Sequence, residues 1–288
     1  TMSNFILLLV VAFLAASGGG AVKIGLQSFS PYFFIFLRYL FAFLLVLPLL
    51  KNHSLFNLRK SKKLYLASFF AVAMVVLFAF GIQLSTIINS SIISPTTPIM
   101  VGVISHIFLK ARYKKNEIIG AFLGLFGALF VVFLPVFQGE QTVTGRLLGN
   151  LLLVGSALSY ALYGILSRSL HGKFPEKEIT ANFFLLAWVT QLTFMILALL
   201  NGQPLLIAPI TVKAGGALLF TVFNAVAFYI LFQRLIARAG SVYASFTSYL
   251  NPVISTILAV ILLSERPTLG HFVGGSITLF GVWLYGRK

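Results

Sequence analysis

The chain has 288 residues, 59% of them hydrophobic and only 9% charged, with a mean hydropathy of +1.01. A soluble domain keeps roughly a quarter of its residues charged, so this composition excludes a water-facing globule. The net charge of +16 would point to nucleic acid in a soluble protein, but here the basic residues sit in short loops between apolar runs, which marks a lipid bilayer as the partner and not a nucleic acid.

Lipid offers no water to backbone amides, so spanning segments are helices or closed barrels. Long unbroken apolar runs favour helices, because barrel strands show short alternating segments. Taking roughly 20 apolar residues per crossing, the spans fall at 4–22, 31–50, 64–83, 88–109, 117–134, 147–167, 179–200, 214–233, 242–262 and 268–285. The first run resembles the later spans and has no Lys or Arg before Lys23, so it reads as a retained span and not as a signal peptide. Sixteen Lys and Arg fall in the loops after spans 2, 4, 6 and 8 and at the C-terminus, against four (Lys23, Arg146, Lys213, Arg266) on the other side. This asymmetry predicts both termini in the cytoplasm, in the inner (plasma) membrane.

The two ends of the chain match in one register. Shifted by 154 residues, Pro98 falls on Pro252, Arg112 on Arg266, Gly120 on Gly274, and Leu125-Phe126-Gly127 on Leu279-Phe280-Gly281. Each half then holds five spans, an odd number, so the halves sit upside down relative to each other. The expected fold is therefore all-α and integral to the membrane: ten helices in two inverted five-helix repeats, 1–135 and 146–288. Inverted repeats place a substrate site near the midplane between the halves.

Chemistry-bearing motifs are absent. There is no cysteine, and the four histidines (His53, His106, His171, His271) show no ligand spacing. No phosphate loop, zincin motif or nucleophile elbow occurs, so no enzyme activity, metal or cofactor is expected. All five acids are glutamates (Glu117, Glu140, Glu176, Glu178, Glu265), and each lies in a loop or at a span end. A proton relay usually needs an intramembrane carboxylate, which favours facilitated diffusion or exchange. His106 is the remaining group that titrates near neutral pH within a span.

Polar residues inside spans are costly and tend to face the interior of the bundle. Span 4 carries Asn89, Ser90, Ser91, Ser94, Thr96 and Thr97, punctuated by Pro95 and Pro98; span 9 carries Tyr243, Ser245, Thr247, Ser248, Tyr249, Asn251 and Pro252. Proline frees a carbonyl one turn earlier, and broken helices with free backbone groups are common at transporter sites; the bland alternative is close helix contact. Asn224 sits alone in span 8, and Ser156, Tyr160 and Tyr163 share a face of span 6. Arg38 is buried about 10 Å into span 2 and needs a partner, either helix-end carbonyls or a substrate carboxylate. Lys23 reads as a residue reaching to the interface. Ser17-Gly18-Gly19-Gly20 in span 1 permits a bend or a close approach.

These features together resemble the EamA family of the drug/metabolite transporter superfamily. The most specific stretch is Phe228–Tyr285, with Ser248-Tyr249-Leu250-Asn251-Pro252, Ser264-Glu265-Arg266 and a final Gly-Gly helix; Arg38, Thr97-Pro98 and Ala161-Leu162-Tyr163 through Ser167-Arg168 match elsewhere. The chain departs from the family's usual pattern at Ala15-Ala16, Lys110-Ala111-Arg112 and Asn251. The resemblance implies a central cavity lined mainly by spans 1, 3, 4, 6, 8 and 9, and export or exchange of small organic solutes by alternating access. Amino acids or related metabolites come first, with cationic drugs as the alternative and a lipid flippase, channel or lipid-modifying enzyme behind them. The candidate substrate contacts are Arg38, Ser94, Thr97, Tyr160, Tyr163, Asn224, Tyr243, Ser248 and Asn251. The sequence leaves monomer and dimer both open.

Overall fold

A computed structural model describes residues 2–50, 62–109, 115–138, 145–249 and 251–286. These residues are almost entirely helical: α1 (Met2–Gly25), α2 (Pro31–Val46), α3 (Lys62–Leu84), α4 (Ile87–Ile93), α5 (Thr97–Leu109), α6 (Lys115–Val132), α7 (Leu134–Gln138), α8 (Leu147–Arg168), α9 (Glu176–Leu200), α10 (Val212–Ala239), α11 (Ser241–Ser245), α12 (Asn251–Leu263) and α13 (Leu269–Gly286). The one extended pairing among the described residues is an isolated antiparallel bridge, Phe29 to Leu206, which ties the α1–α2 turn to the α9–α10 connection.

Six segments are long and apolar enough to cross a membrane: α1, α3, the run Ile87–Ile104, α8, α9 and α10. Four further apolar helices are shorter, Pro31–Val46, Ile118–Val132, Ile254–Leu263 and Leu269–Tyr285. Three of the predicted spans end early or break for local reasons. Pro48 follows α2, which tightens into a 3-10 turn at Leu47–Leu50. The fourth predicted span is cut by a 3-10 turn at Ser94–Thr96, centred on Pro95, and the ninth by a 3-10 turn at Phe246–Tyr249, just ahead of Pro252. A proline lacks the amide proton and crowds the carbonyl of the preceding turn, so the α-helical ladder cannot run through.

Helix starts follow ordinary capping chemistry. Thr86 accepts a hydrogen bond from the Asn89 amide (3.0 Å) to open α4, and Thr211 accepts one from the Ala214 amide (3.1 Å) to open α10. Pro31 and Pro175 stand where a missing amide proton costs nothing. Gly240, between α10 and α11, has φ +90°, a conformation that L side chains rarely adopt.

The most extensive helix pairs are α6 with α13, α3 with α8, α1 with α10 and α2 with α9, and α12 packs against both α1 and α4. Contact between α6 and α13 is backbone to backbone. A Cβ on Gly127 would meet the Thr278 amide and the Gly274 carbonyl, and one on Gly281 would meet Gly124. With no hydrophobic drive between helices in lipid, such small-residue seams gain packing and weak polar contacts. The perimeter is apolar: Phe122, Phe126, Phe220, Phe223, Phe272 and Phe280 are all exposed, as a lipid-facing belt requires.

Candidate functional site

A cavity of about 180 Å³ lies at the centre of the bundle. Its walls come from both halves of the chain. α1 contributes Leu14, Gly18 and Val22, and α2 contributes Phe34, Ile35 and Arg38. α3 adds Met74 and Phe78, α8 adds Ser156 and Tyr160, and α10 adds Asn224, Phe228 and Tyr229. The two broken helices meet it with Ser90, Ser94 and Thr97 on one side and Thr247 and Ser248 on the other.

Specific bonds fix these walls. Asn224 Nδ2 donates to the Leu14 carbonyl (3.0 Å) and to Ser17 Oγ (3.4 Å), clamping α10 to α1. That approach requires Gly18, where an added Cβ would lie 2.8 Å from Asn224 Oδ1. Ser156 Oγ donates to the Met74 carbonyl (2.8 Å), joining α8 to α3. Tyr160 stacks on Phe232 at 5.0 Å, and the hydroxyls of Tyr39 and Tyr229 lie 3.5 Å apart. Arg38 stacks over the Tyr39 ring at 5.3 Å.

The predicted site residues therefore separate. Arg38, Ser94, Thr97, Tyr160, Asn224 and Ser248 share the cavity wall. Tyr163 is fully buried behind it and receives a hydrogen bond from Gln233, which also donates to Ser167. Tyr243 lies against Phe246 (6.2 Å) and is not among the wall residues. The side chains of Asn251 and His106, like all of Arg112, are outside the described residues.

A second polar cluster closes the bundle where α1 ends and α4 begins. Lys23, which the sequence assigns to the interface, instead pairs with Glu265 at 2.8 Å and donates to the Ser85 carbonyl (2.7 Å). The Glu265 carboxylate also accepts from the Ile87 and Ile88 amides (2.9 and 3.1 Å), an anion set on a helix N-terminus. Beside it, His271 Nδ1 accepts from the Thr268 amide (2.9 Å), so Nε2 carries the proton and donates to Asn89 Oδ1 (2.7 Å). Asn89 Nδ2 donates to Asn150 Oδ1 (2.8 Å), and Asn150 donates to the Val132 carbonyl (3.0 Å). Asn89, Asn150 and His271 are buried. Sequence reasoning places Asn89 with the cavity and gives Asn150 and His271 no role. The available signal was their polarity near span ends, with nothing to say that they meet. The opposite end has its own tie, Arg168 donating to the carbonyls of Ile236 (3.0 Å) and Ala237 (2.7 Å).

Among the described residues no group of His, Cys, Asp or Glu could hold a metal ion. The site offers hydroxyls, amides, aromatic faces and one guanidinium. That is the equipment of a binding cavity.

Comparison with known proteins agrees. The sequence model of the EamA-like transporter family matches residues 2–133 and again 147–287. An uncharacterized transporter of Archaeoglobus fulgidus is 26% identical over 273 residues, covering 93% of this chain and 91% of its own. The WAT1-related protein At5g40240 of Arabidopsis thaliana is 26% identical, covering 90% of this chain and 78% of its own. A protein of known crystal structure superposes with a TM-score of 0.67 over 97% of this chain and 96% of its own at 15% identity, a likeness of fold alone. With two matched segments that together take in nearly every residue, the chain belongs to the EamA-like transporter family.

Proposed function

We propose that this membrane transporter is a secondary carrier, an exporter or exchanger of small organic metabolites, with amino acids or related compounds as the leading class. The observation that carries the reading is the central cavity, walled by both halves of the chain and met by two interrupted helices. Such a site serves alternating access when one half rocks against the other. No step makes or breaks a covalent bond.

Several features support ten spans in two inverted repeats, 1–135 and 146–288, with both termini on the cytoplasmic side of the inner (plasma) membrane. With the spans numbered in order and the pieces of each broken span taken together, the main pairs are 1 with 8, 3 with 6, 2 with 7, 4 with 9 and 5 with 10. Exchanging each span with the one five places on turns this set into itself. The glycine seam obeys the same rule at a 154-residue shift, since the Gly127–Gly274 contact has its mate in the approach of Gly120 to Gly281. The cavity volume of about 180 Å³ lies below the roughly 300–1,000 Å³ of pockets for drug-sized ligands, which favours small metabolites over multidrug export.

Reconstitution tests the function. Proteoliposomes should show saturable uptake that is accelerated by unlabelled solute inside; linear, non-saturating flux would make the protein a channel. Because the chain has no cysteine, single cysteines at Arg112 and Arg266 report without background. They should react from opposite sides of the membrane, and reaction from one side would end the inverted-repeat reading.

A further inference from the structure

Among the described residues Arg38 is the one charged residue in the cavity wall. The neighbouring cation, Lys23, is neutralised by Glu265, whereas the described residues give Arg38 neither an ion pair nor a hydrogen bond. Its Nε is buried without a partner, and the guanidinium lies over the Tyr39 ring. A guanidinium stays charged at any physiological pH. Half-buried and without a counter-charge among the described residues, it imposes a positive potential on the cavity, which an anion with matching geometry satisfies best.

The remaining wall defines the rest of the ligand. Phe34, Phe78, Tyr160, Phe228 and Tyr229 offer aromatic surface. Among the described residues no carboxylate lines the cavity, so a cationic group on the solute would meet Arg38 with no counter-charge. We propose that the transported solute is a small monoanion, a carboxylate on an aromatic or branched apolar body, with Arg38 as its counter-ion. Within the metabolites of the proposed function this selects the related carboxylic acids over the zwitterionic amino acids themselves, and it excludes cations. This rests on the central cavity being the transport site.

The test uses the full-length protein in nanodiscs and four probes of one size: phenylacetate, phenylacetamide, phenethylamine and phenylalanine. Phenylacetate should bind at least about tenfold more tightly than the others, and Arg38→Gln should abolish that advantage while Arg38→Lys keeps most of it, as expected for loss of one partner of a desolvated charge pair. Ile35→Glu leaves Arg38 in place and adds a carboxylate one helical turn away that pairs with it; it should likewise abolish the advantage of phenylacetate, so the proposal does not hang on the folding of one variant. Equal binding of the amine or the amide, unchanged binding in Arg38→Gln, or no binding of phenylacetate to the wild type each overturns the proposal. Counterflow separates the two claims. Phenylacetate binding without counterflow keeps the anion assignment and removes the carrier, while phenethylamine counterflow that survives Arg38→Gln does the reverse.

Discussion

Removing the Glu265 carboxylate should cost more than removing the Lys23 ammonium, although the two form one pair. At an effective dielectric constant of about 20, charges 2.8 Å apart attract by about 6 kcal/mol, most of which offsets their desolvation. Breaking a buried pair costs about 3–5 kcal/mol. Lys23 is 23% exposed and Glu265 9%, so part of that is recovered from solvent, and about 2–3 kcal/mol is expected for Glu265→Gln. That variant leaves Lys23 with only the Ser85 carbonyl and weakens the anion at the α4 N-terminus. Lys23→Met leaves Glu265 still bonded to two amides and should cost about 1 kcal/mol less, since charge at a helix end is worth about 0.3–1 kcal/mol. Denaturant unfolding of the purified protein, followed by fluorescence of Trp188 and Trp283, gives both values and that of the double variant. The cycle should show a coupling of about 1–3 kcal/mol. Strictly additive losses, or a larger loss for Lys23→Met, would refute this account.

Other expectations follow from single contacts. Ser264 has φ +54°, a left-handed conformation that costs a non-glycine residue about 1–2 kcal/mol, so Ser264→Gly should raise stability by about 0.5–1 kcal/mol once glycine's extra unfolded-state entropy is counted. Gly281→Ala drives a methyl within 2.6 Å of the Gly124 Cα, and loss of about 1–3 kcal/mol together with lower yield of folded protein should appear in size-exclusion thermostability. Gly18→Ala should likewise cost about 1–3 kcal/mol by overpacking against Asn224, and Asn224→Ala should partly rescue it; failure of rescue would dissociate that pair. His171, in the connection between α8 and α9, has its imidazole pushed below the usual value by burial, with the Glu176 carboxylate working against the shift. The folded state therefore resists protonation, so stability should be full above the unfolded value near 6.5 and fall as pH drops from there through the lowered folded value. His171→Gln should flatten that slope in unfolding measured between pH 7.5 and 5.

The sequence by itself determined the solvent of this protein, its helical class and where its helices break. Continuous apolar runs admit little else in lipid, and Pro95, Pro98 and Pro252 act on their own turn of chain. It also narrowed the cavity to a short set of polar positions, because a polar group within a span is costly unless it is turned inward. The family resemblance and the 154-residue register were legible for the same reason, being patterns along one chain.

What the tertiary structure decided was which polar groups meet. Tyr160 and Tyr163 lie within one turn of α8, yet the first faces the cavity and the second is sealed against Gln233. Lys23 finds Glu265 across 242 positions of sequence, and Asn89 leaves the cavity wall to join His271. Arg38 faces the cavity with no acid among the described residues placed against it. In water, an amphipathic stripe would have announced the inward face of each helix. In a bilayer the outside is as apolar as the inside, so hydropathy along the chain marks what is embedded without marking which way it turns.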